Sequence, residues 1–455
     1  MKKIILLFLV LIAATPTAAQ AAGEPEYEFG NGGKVLTPAP LRGPWSEATV
    51  HMAQAPDGDV FVGSGAEVAG YLPAGELDTV FGRDGLLRIA LPSVSRFAIS
   101  DLSVDSDGRL VVIGTATRVG PGGAARSVAA ILRYLPDGEP DPSFGDGDGI
   151  AMTDFGLRAR GGRGPGAVVA SFGAVDERNR ITVVAGTFQS TGSCEEPRRL
   201  RRYDRLIARF SADGRIDPSF GKGGVQNVRP LQTVSGMSFD RSGGVALAGS
   251  LLHNCSRERE SAVLRFRSDG RRRRSFGLHG MERMTGAVAS IAIDRHDRVT
   301  LLCKEKQSPR ARDEHFTKLV RFLPDGHLDP SFHDNGLVVY IFEGPLYKWS
   351  NLLVAPDGRL LLTGTLIRPL PEKKQGRGQL FHRWFMVTPL AEDGRSAGYF
   401  GDREWIEITR FNRLMDAAAT DALIDREGEL LMAGTAHGPG LPRGGFALAR
   451  FELWH

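Results

Sequence analysis

Residues 206–224 read LIARFSADGRIDPSFGKGG. An apolar run, Leu206 to Phe210, enters an Asp-Gly turn at 213–214. The string Asp217-Pro218-Ser219-Phe220 then leads through glycines into the next apolar run. Asp-Gly between β-rich apolar runs is a hairpin signal. The phenylalanine string recurs along the chain. It is centred on Phe29, Phe81, Phe144, Phe220, Phe276, Phe332 and Phe400, with spacings of 52, 63, 76, 56, 56 and 68 residues. A period near 60 marks an array of supersecondary units rather than a set of unrelated domains.

A second string keeps fixed phase with the first. Turns such as PDGDV at 56–60, SDGRL at 106–110, PDGRL at 356–360 and REGEL at 426–430 each join two apolar runs, and there are seven of them. Each unit therefore holds four short antiparallel strands. Four-stranded units repeated radially predict an all-β, seven-bladed β-propeller. The last unit, 416–455, has three strands and lacks its Phe-Gly string. The segment EPEYEFGNGGKVLT at 24–37 supplies the missing piece. The N-terminal strand is expected to close the ring by pairing with the C-terminal blade, which protects the sheet edges.

The pattern L-D-x-S-F-G-x-x-G, an apolar strand, P-D-G-R, V-V-x-G and an A-x-x-R-Y/F strand resembles the bacterial delta-60 repeat β-propellers. Residues 129–149, 206–224 and 318–336 match it best. His333 in place of a glycine, Arg271 to Arg274 in place of the Leu-Asp portion, and GYFGDRE at 398–404 depart from it. The resemblance implies a secreted or envelope propeller and brings no catalytic residues.

Within the repeat, the phenylalanines are expected to plug the space between blades, because aromatic side chains dominate core energetics. Asp141, Asp217 and Asp329 precede Pro-Ser and are expected to bond nearby backbone N–H groups.

Residues 1–22 carry a basic start (Lys2, Lys3), an apolar stretch from Ile4 to Ala14 and small residues at Ala19 and Ala21. This is a secretory signal pattern, with cleavage at Ala21 or Ala22. Residues 23–455 are read as one propeller domain in an extracytoplasmic, bacterial setting, secreted or held in the envelope. The membrane is met only through the signal peptide before cleavage, and the chain is read as a monomer.

The 42% hydrophobic content supports a packed core, and a net charge of +4 carries no partner signal by itself. Three cysteines exclude a disulfide-dense scaffold. Cys194 and Cys255 each follow the second strand of their hairpins in consecutive units, so a disulfide between them is expected in an oxidising compartment. Cys303 sits on a strand and reads as a small buried hydrophobe. No H-E-x-x-H or paired Cys/His spacing supports a metal site, and no cofactor is expected. Asp146 and Asp148 lack the loop and distal Glu of a calcium site.

Taking the strand before each Asp-Gly hairpin as innermost, by analogy with other propellers, places the long arginine-rich connections on one face. Their candidate binding residues are Arg158, Arg160, Arg198, Arg199, Arg201, Arg202, Arg310, Arg312, Lys373, Lys374 and Arg377. Arginine forks match carboxylate and phosphate groups. An envelope polyanion, an acidic glycan or an acidic protein surface would fit. Nucleic acid is disfavoured by the signal peptide and by the lack of aromatic platforms between the basic runs. The expected role is a binding scaffold. The alternatives are an envelope enzyme, a polysaccharide lyase or hydrolase with its site at the central channel, and a structural surface module without a specific ligand.

Overall fold

The computed structural model describes residues 25–39, 48–119, 125–157, 168–187, 205–251, 260–304, 314–343, 346–369, 381–398, 407–411 and 415–453. In these residues the regular structure is strand and turn throughout. After β1 (Lys34–Pro38), blade 1 is β2 (His51–Gln54), β3 (Val60–Ser64), β4 (Glu67–Tyr71) and β5 (Leu86–Arg88). Blade 2 is β6 (Val94–Val104), β7 (Leu110–Val119), β8 (Ala125–Tyr134) and β9 (Ile150–Thr153). Blade 3 is β10 (Val168–Val175), β11 (Ile181–Thr187), β12 (Arg205–Phe210) and β13 (Val225–Asn227). Blade 4 is β14 (Gly236–Phe239), β15 (Val245–Ser250), β16 (Glu260–Phe266) and β17 (Met281–Thr285). Blade 5 is β18 (Ala287–Ile293), β19 (Val299–Lys304), β20 (Glu314–Phe322) and β21 (Leu337–Glu343). Blade 6 is β22 (Leu346–Val354), β23 (Leu360–Pro369), β24 (Phe381–Leu390) and β25 (Glu407–Thr409). Blade 7 combines β26 (Asp416–Ile424), β27 (Leu430–Gly438) and β28 (Leu441–Phe451) with β1.

Each blade is an antiparallel sheet in sequence order, and β1 completes blade 7 with Lys34 opposite Ala449 and Pro38 opposite Gly445. The molecule is a seven-bladed β-propeller whose ring is closed by its N-terminal strand. Its core is a set of apolar clusters, each formed mainly where two neighbouring blades face one another. The second and third strands carry these contacts, and strands buried on both faces read as continuous apolar runs such as Val111-Val112-Ile113.

The repeated string is the lock between blades. Phe29, Phe81, Phe144, Phe220, Phe276 and Phe332 are all essentially buried. Phe400 lies outside the described residues. The residue after each of these six phenylalanines donates its amide to the Gly-containing turn of the next blade, as in Gly145 to Asp213 at 2.9 Å and Gly221 to Asp269 at 2.7 Å. The ring of Phe144 lies directly beneath that turn: a Cβ on Gly214 would sit 2.7 Å from its Cζ, and Gly214 has φ +85°. Only glycine meets both demands. His333 keeps this bond despite replacing a glycine, donating its amide to Asp393 at 2.9 Å.

The arginine of the A-x-x-R strand adds a second lock. Nε of Arg133, Arg209 and Arg321 donates to Asp141, Asp217 and Asp329 at 2.7, 2.8 and 2.7 Å. The same guanidinia stand 4.7, 4.7 and 4.3 Å from the rings of Phe144, Phe220 and Phe332. Each also reaches a backbone carbonyl of the next blade, at Ala212, Ser268 and Glu392. The three aspartates accept the amides of Ser143, Ser219 and Ser331, the turn role expected of them. Burial pushes the Asp141 carboxyl up, but the Ser143 hydroxyl and amide and the Arg133 charge outweigh it and hold it below the ordinary value.

Blade 4 reaches the same end by another route. Arg273 occupies the position of those aspartates. Asp240, from the hairpin turn, serves instead, accepting from Arg265 at 2.7 Å, from Arg273 at 2.9 Å and from the Gly244 amide at 2.7 Å. The Arg265 and Asp240 side chains are both fully buried.

Candidate functional site

The two rims of the ring are used differently. On one, the hairpin turns and the Phe-Gly strings interlock blade to blade as described above. We call this the turn rim. The antiparallel order of each blade sends the remaining connections to the other, the loop rim.

The segments 158–167, 188–204, 305–313 and 370–380 all connect strands at their loop-rim ends. These hold Arg158, Arg160, Arg198, Arg199, Arg201, Arg202, Arg310, Arg312, Lys373, Lys374 and Arg377, and all eleven side chains lie outside the described residues. Cys194 and Cys255 lie outside them too. Cys303 is buried on β19 against Met284, as expected of a small hydrophobe.

The first strand of every blade is innermost, and among the described residues hydrogen bonds join the inner strands of blades 7 and 1, 2 and 3, 5 and 6, and 6 and 7. One level carries a belt of polar contacts. Residues His51, Asp101, Phe172, Gly236, Ser290, Asn351 and Asp421 occupy equivalent positions, each opposite the fourth residue of its second strand. At this level Asp421 accepts the Met52 amide at 2.8 Å, Asp101 the Gly173 amide at 3.1 Å and Ser290 the Leu352 amide at 3.1 Å. Asn351 donates to Asp421 at 3.2 Å.

In five blades a bulge precedes this position. The bulge hydroxyls of Ser100, Ser350 and Thr420 donate to the carbonyls of Ala170, Ala419 and Val50, each in the next blade, at 2.9, 3.0 and 3.1 Å. A bulge re-aims a side chain. Here it turns hydroxyls sideways to stitch adjacent inner strands.

His51 and Asp101 form the titratable pair of this belt, with Nδ1 and Oδ1 3.8 Å apart, beyond hydrogen-bond range. Their side chains keep 19% and 23% exposure, yet the surrounding inner strands leave little water to solvate a charge. Burial therefore lowers the His51 imidazole to about 4 and leaves it neutral. Burial, with a smaller push from Asp421, raises the Asp101 carboxyl to about 8, against the pull of the Gly173 and Leu102 amides. Burial raises Asp421 to about 6 despite the Met52 and Ala422 amides and Asn351. Sequence reading does not find these residues. They occupy different strands, and only the ring brings them together. Among the described residues no group of His, Cys, Asp or Glu could hold a metal ion. Asp148 instead accepts the Ile150 amide at 3.0 Å within its own turn.

The loop rim also contains a pocket of about 430 Å³ between blades 4 and 5. Its lining is rich in neutral hydrogen-bonding side chains (Gln232, Thr233, Ser235, Ser250 and Ser261), with Leu251 and Val288 beside them.

Residues 106–144 match the family model of a domain of unknown function (DUF5122), a β-propeller. Among solved structures, the polysaccharide lyase Uly1 shares 8% identity at a TM-score of 0.51, over 90% of this chain and 91% of that one. A calcium-binding regucalcin from Agrobacterium tumefaciens shares 13% at 0.36, over 80% and 93%. A protein of unknown function from Dyadobacter fermentans shares 11% at 0.40, over 93% and 100%. Likeness at such identities is one of fold. No curated protein matches the chain.

Proposed function

We propose that this chain is an exported propeller of the delta-60 repeat kind that acts as a binding scaffold. Its partner is anionic (an envelope polyanion, an acidic glycan or an acidic protein surface) and is met at the loop rim. The observation that carries this reading is the unequal use of the two rims. The turn rim is committed to blade-to-blade bonds, whereas the arginine-rich segments all connect strands at their loop-rim ends. Binding on variable connections held by a rigid ring suits such a frame. The enzyme alternative calls for carboxylates at the axis. Asp101 and Asp421 are each engaged in accepting an amide from the next blade, which favours a role in holding the ring.

The test is a binding screen of the mature protein against envelope polyanions, acidic glycans and neutral glycans across a salt series. Tight binding to anions that weakens steeply with salt is expected, because screening shortens the reach of exposed charge. Failure to bind any anion would overturn the reading and leave a structural module.

A further inference from the structure

In blades 2, 3 and 5 the string aspartate is held by three donors. Asp141 accepts the Ser143 amide at 2.8 Å, the Ser143 hydroxyl at 2.7 Å and Arg133 Nε at 2.7 Å. Asp217 and Asp329 accept in the same way from Ser219 and Arg209, and from Ser331 and Arg321. Blade 4 keeps the backbone of this turn. The Arg273 amide donates to the Arg265 carbonyl at 2.9 Å, as Asp141 does to Arg133 at 3.0 Å. The Phe276 amide donates to the Arg273 carbonyl at 3.0 Å, as Phe144 does to Asp141 at 3.1 Å. The Ser275 amide is therefore aimed as its counterparts are, but the residue that would supply the carboxylate is Arg273.

The donors are left over. Neither the amide nor the hydroxyl of exposed Ser275 finds an acceptor among the described residues. Arg265 Nε is buried without a hydrogen-bond partner, and a buried donor left unpaired is destabilising. The guanidinium is drawn inward to Asp240 and the Asp297 carbonyl. Its carbon lies 5.9 Å from the Phe276 ring, against 4.3–4.7 Å in the three sister blades.

Charge is short in the same place. In blade 2, Arg109 and Arg133 face Asp105 and Asp141, two cations against two carboxylates. In blade 4, Arg265 and Arg273 share Asp240, and the Asp297 carboxylate stands 3.9 Å from Arg273, beyond hydrogen-bond range. Arg274 and Arg241 beside them are exposed, and neither pairs with a carboxylate among the described residues. Ser242, next to Arg241, contacts Arg273 Nη2 at 3.2 Å, so the hairpin cation belongs to the same patch. A position shaped for an aspartate side chain, missing its carboxylate and open to solvent at Ser275, can take one from outside, because charge-assisted hydrogen bonds are the strong ones. The flanking exposed groups are guanidinia rather than neutral hydroxyls. They favour several carboxylates along a flexible chain over a sugar ring.

We propose that the turn rim of blade 4 is a carboxylate-binding site for an acidic polypeptide segment, which seats one Asp or Glu side chain on Ser275 beside Arg265, Arg273 and Arg274. The site lies on the rim opposite the arginine-rich connections and stands independently of them.

The test is amide hydrogen exchange of the full mature chain, read by mass spectrometry with and without an oligo-aspartate peptide. Exchange reports local protection, so it separates this site from binding elsewhere on the ring. The peptide should slow exchange across 267–276, and an oligo-asparagine peptide should not. Arg274→Gln with Ser275→Ala, at two exposed positions whose loss should not unfold the ring, should raise the peptide concentration needed for that protection about ten-fold, the scale of hydrogen bonds to a charged group. Arg273→Asp supplies the carboxylate from the chain itself, as in the sister blades, and should remove the response to peptide. Unchanged exchange across 267–276 in saturating peptide would overturn the site, as would protection confined to 188–204 and 370–380. Equal protection of 267–276 by a polygalacturonate oligomer would overturn the polypeptide as the partner.

Discussion

Phe29, near the amino-terminal end of the described chain, lies beneath Gly75 in the turn of blade 1. A Cβ on Gly75 would stand 2.9 Å from the Phe29 Cε2, and the adjacent Gly30 donates its amide to Ala74 at 2.7 Å. Phe29 belongs structurally to blade 7, through β1, so this contact joins the last blade to the first, alongside the inner-strand bonds of Val50 and Met52 to Thr420 and Asp421. The contact repeats what Phe144 does for Gly214, and closure uses the same joint as the other interfaces.

Removing that joint should open the ring. Phe29→Ala deletes a buried aromatic and should cost about 3–5 kcal/mol, the range of such truncations. Deleting 24–37 should cost more, because blade 7 also loses β1 and the ion pair of Glu26 with Arg450 at 2.8 Å. Thermal unfolding of the mature protein and both variants checks this. Equal melting temperatures would show that ring closure does not depend on the N-terminal strand.

Blade 4 offers a sharper test of charge burial. Asp240 pairs with both Arg265 and Arg273, and burial of the carboxyl is outweighed by the Ser242 hydroxyl, the Gly244 amide and the two guanidinia. Asp240→Asn leaves a fully buried guanidinium without a carboxylate and should destabilise by about 3–5 kcal/mol. Asp213→Asn, whose partner Arg215 is exposed, should change stability by less than about 1 kcal/mol. Urea unfolding of the two variants measures the contrast.

Stability should fall as pH rises from about 6.5 to about 8. Folded Asp101 keeps its proton to about 8, whereas an unfolded aspartate loses it near 3.8. The folded state therefore binds the extra proton in this window, and raising pH disfavours it. Asp421 acts in the same direction between about 4 and 6. His51, lowered from 6.5 to about 4, opposes them there, because the unfolded state takes up its proton first. Asp101→Asn should flatten the upper slope in a melting-temperature series over pH. An unchanged slope would assign it to other groups.

Cys194 and Cys255 should be linked in protein recovered from an oxidising compartment. Peptide mapping without reductant reads this directly, and two free thiols would dismiss the bridge.

The blade count, the four strands of each blade and the closure by residues 24–37 were legible because they rest on local chemistry repeated seven times. Asp-Gly turns, apolar runs and the Phe-Gly string each carry their meaning within a few residues. The burial of Phe81 or Phe220 followed from the same periodicity. The exchange in blade 4 was half legible: Arg273 stands out as a departure, but nothing local says that Asp240, thirty-three positions earlier, takes over.

The inner belt and the loop-rim pocket were decided by tertiary structure alone. His51, Asp101 and Asp421 come from three blades, and the pocket lining from two, on sequence neighbourhoods that resemble ordinary strands. A side chain's pKa and its partners depend on what packs across from it. In a propeller that neighbour belongs to the next blade, and at the closure it belongs to the opposite end of the chain. Sequence alone determined the repeating joint. The ring determined which unlike residues meet at its axis and on its rim.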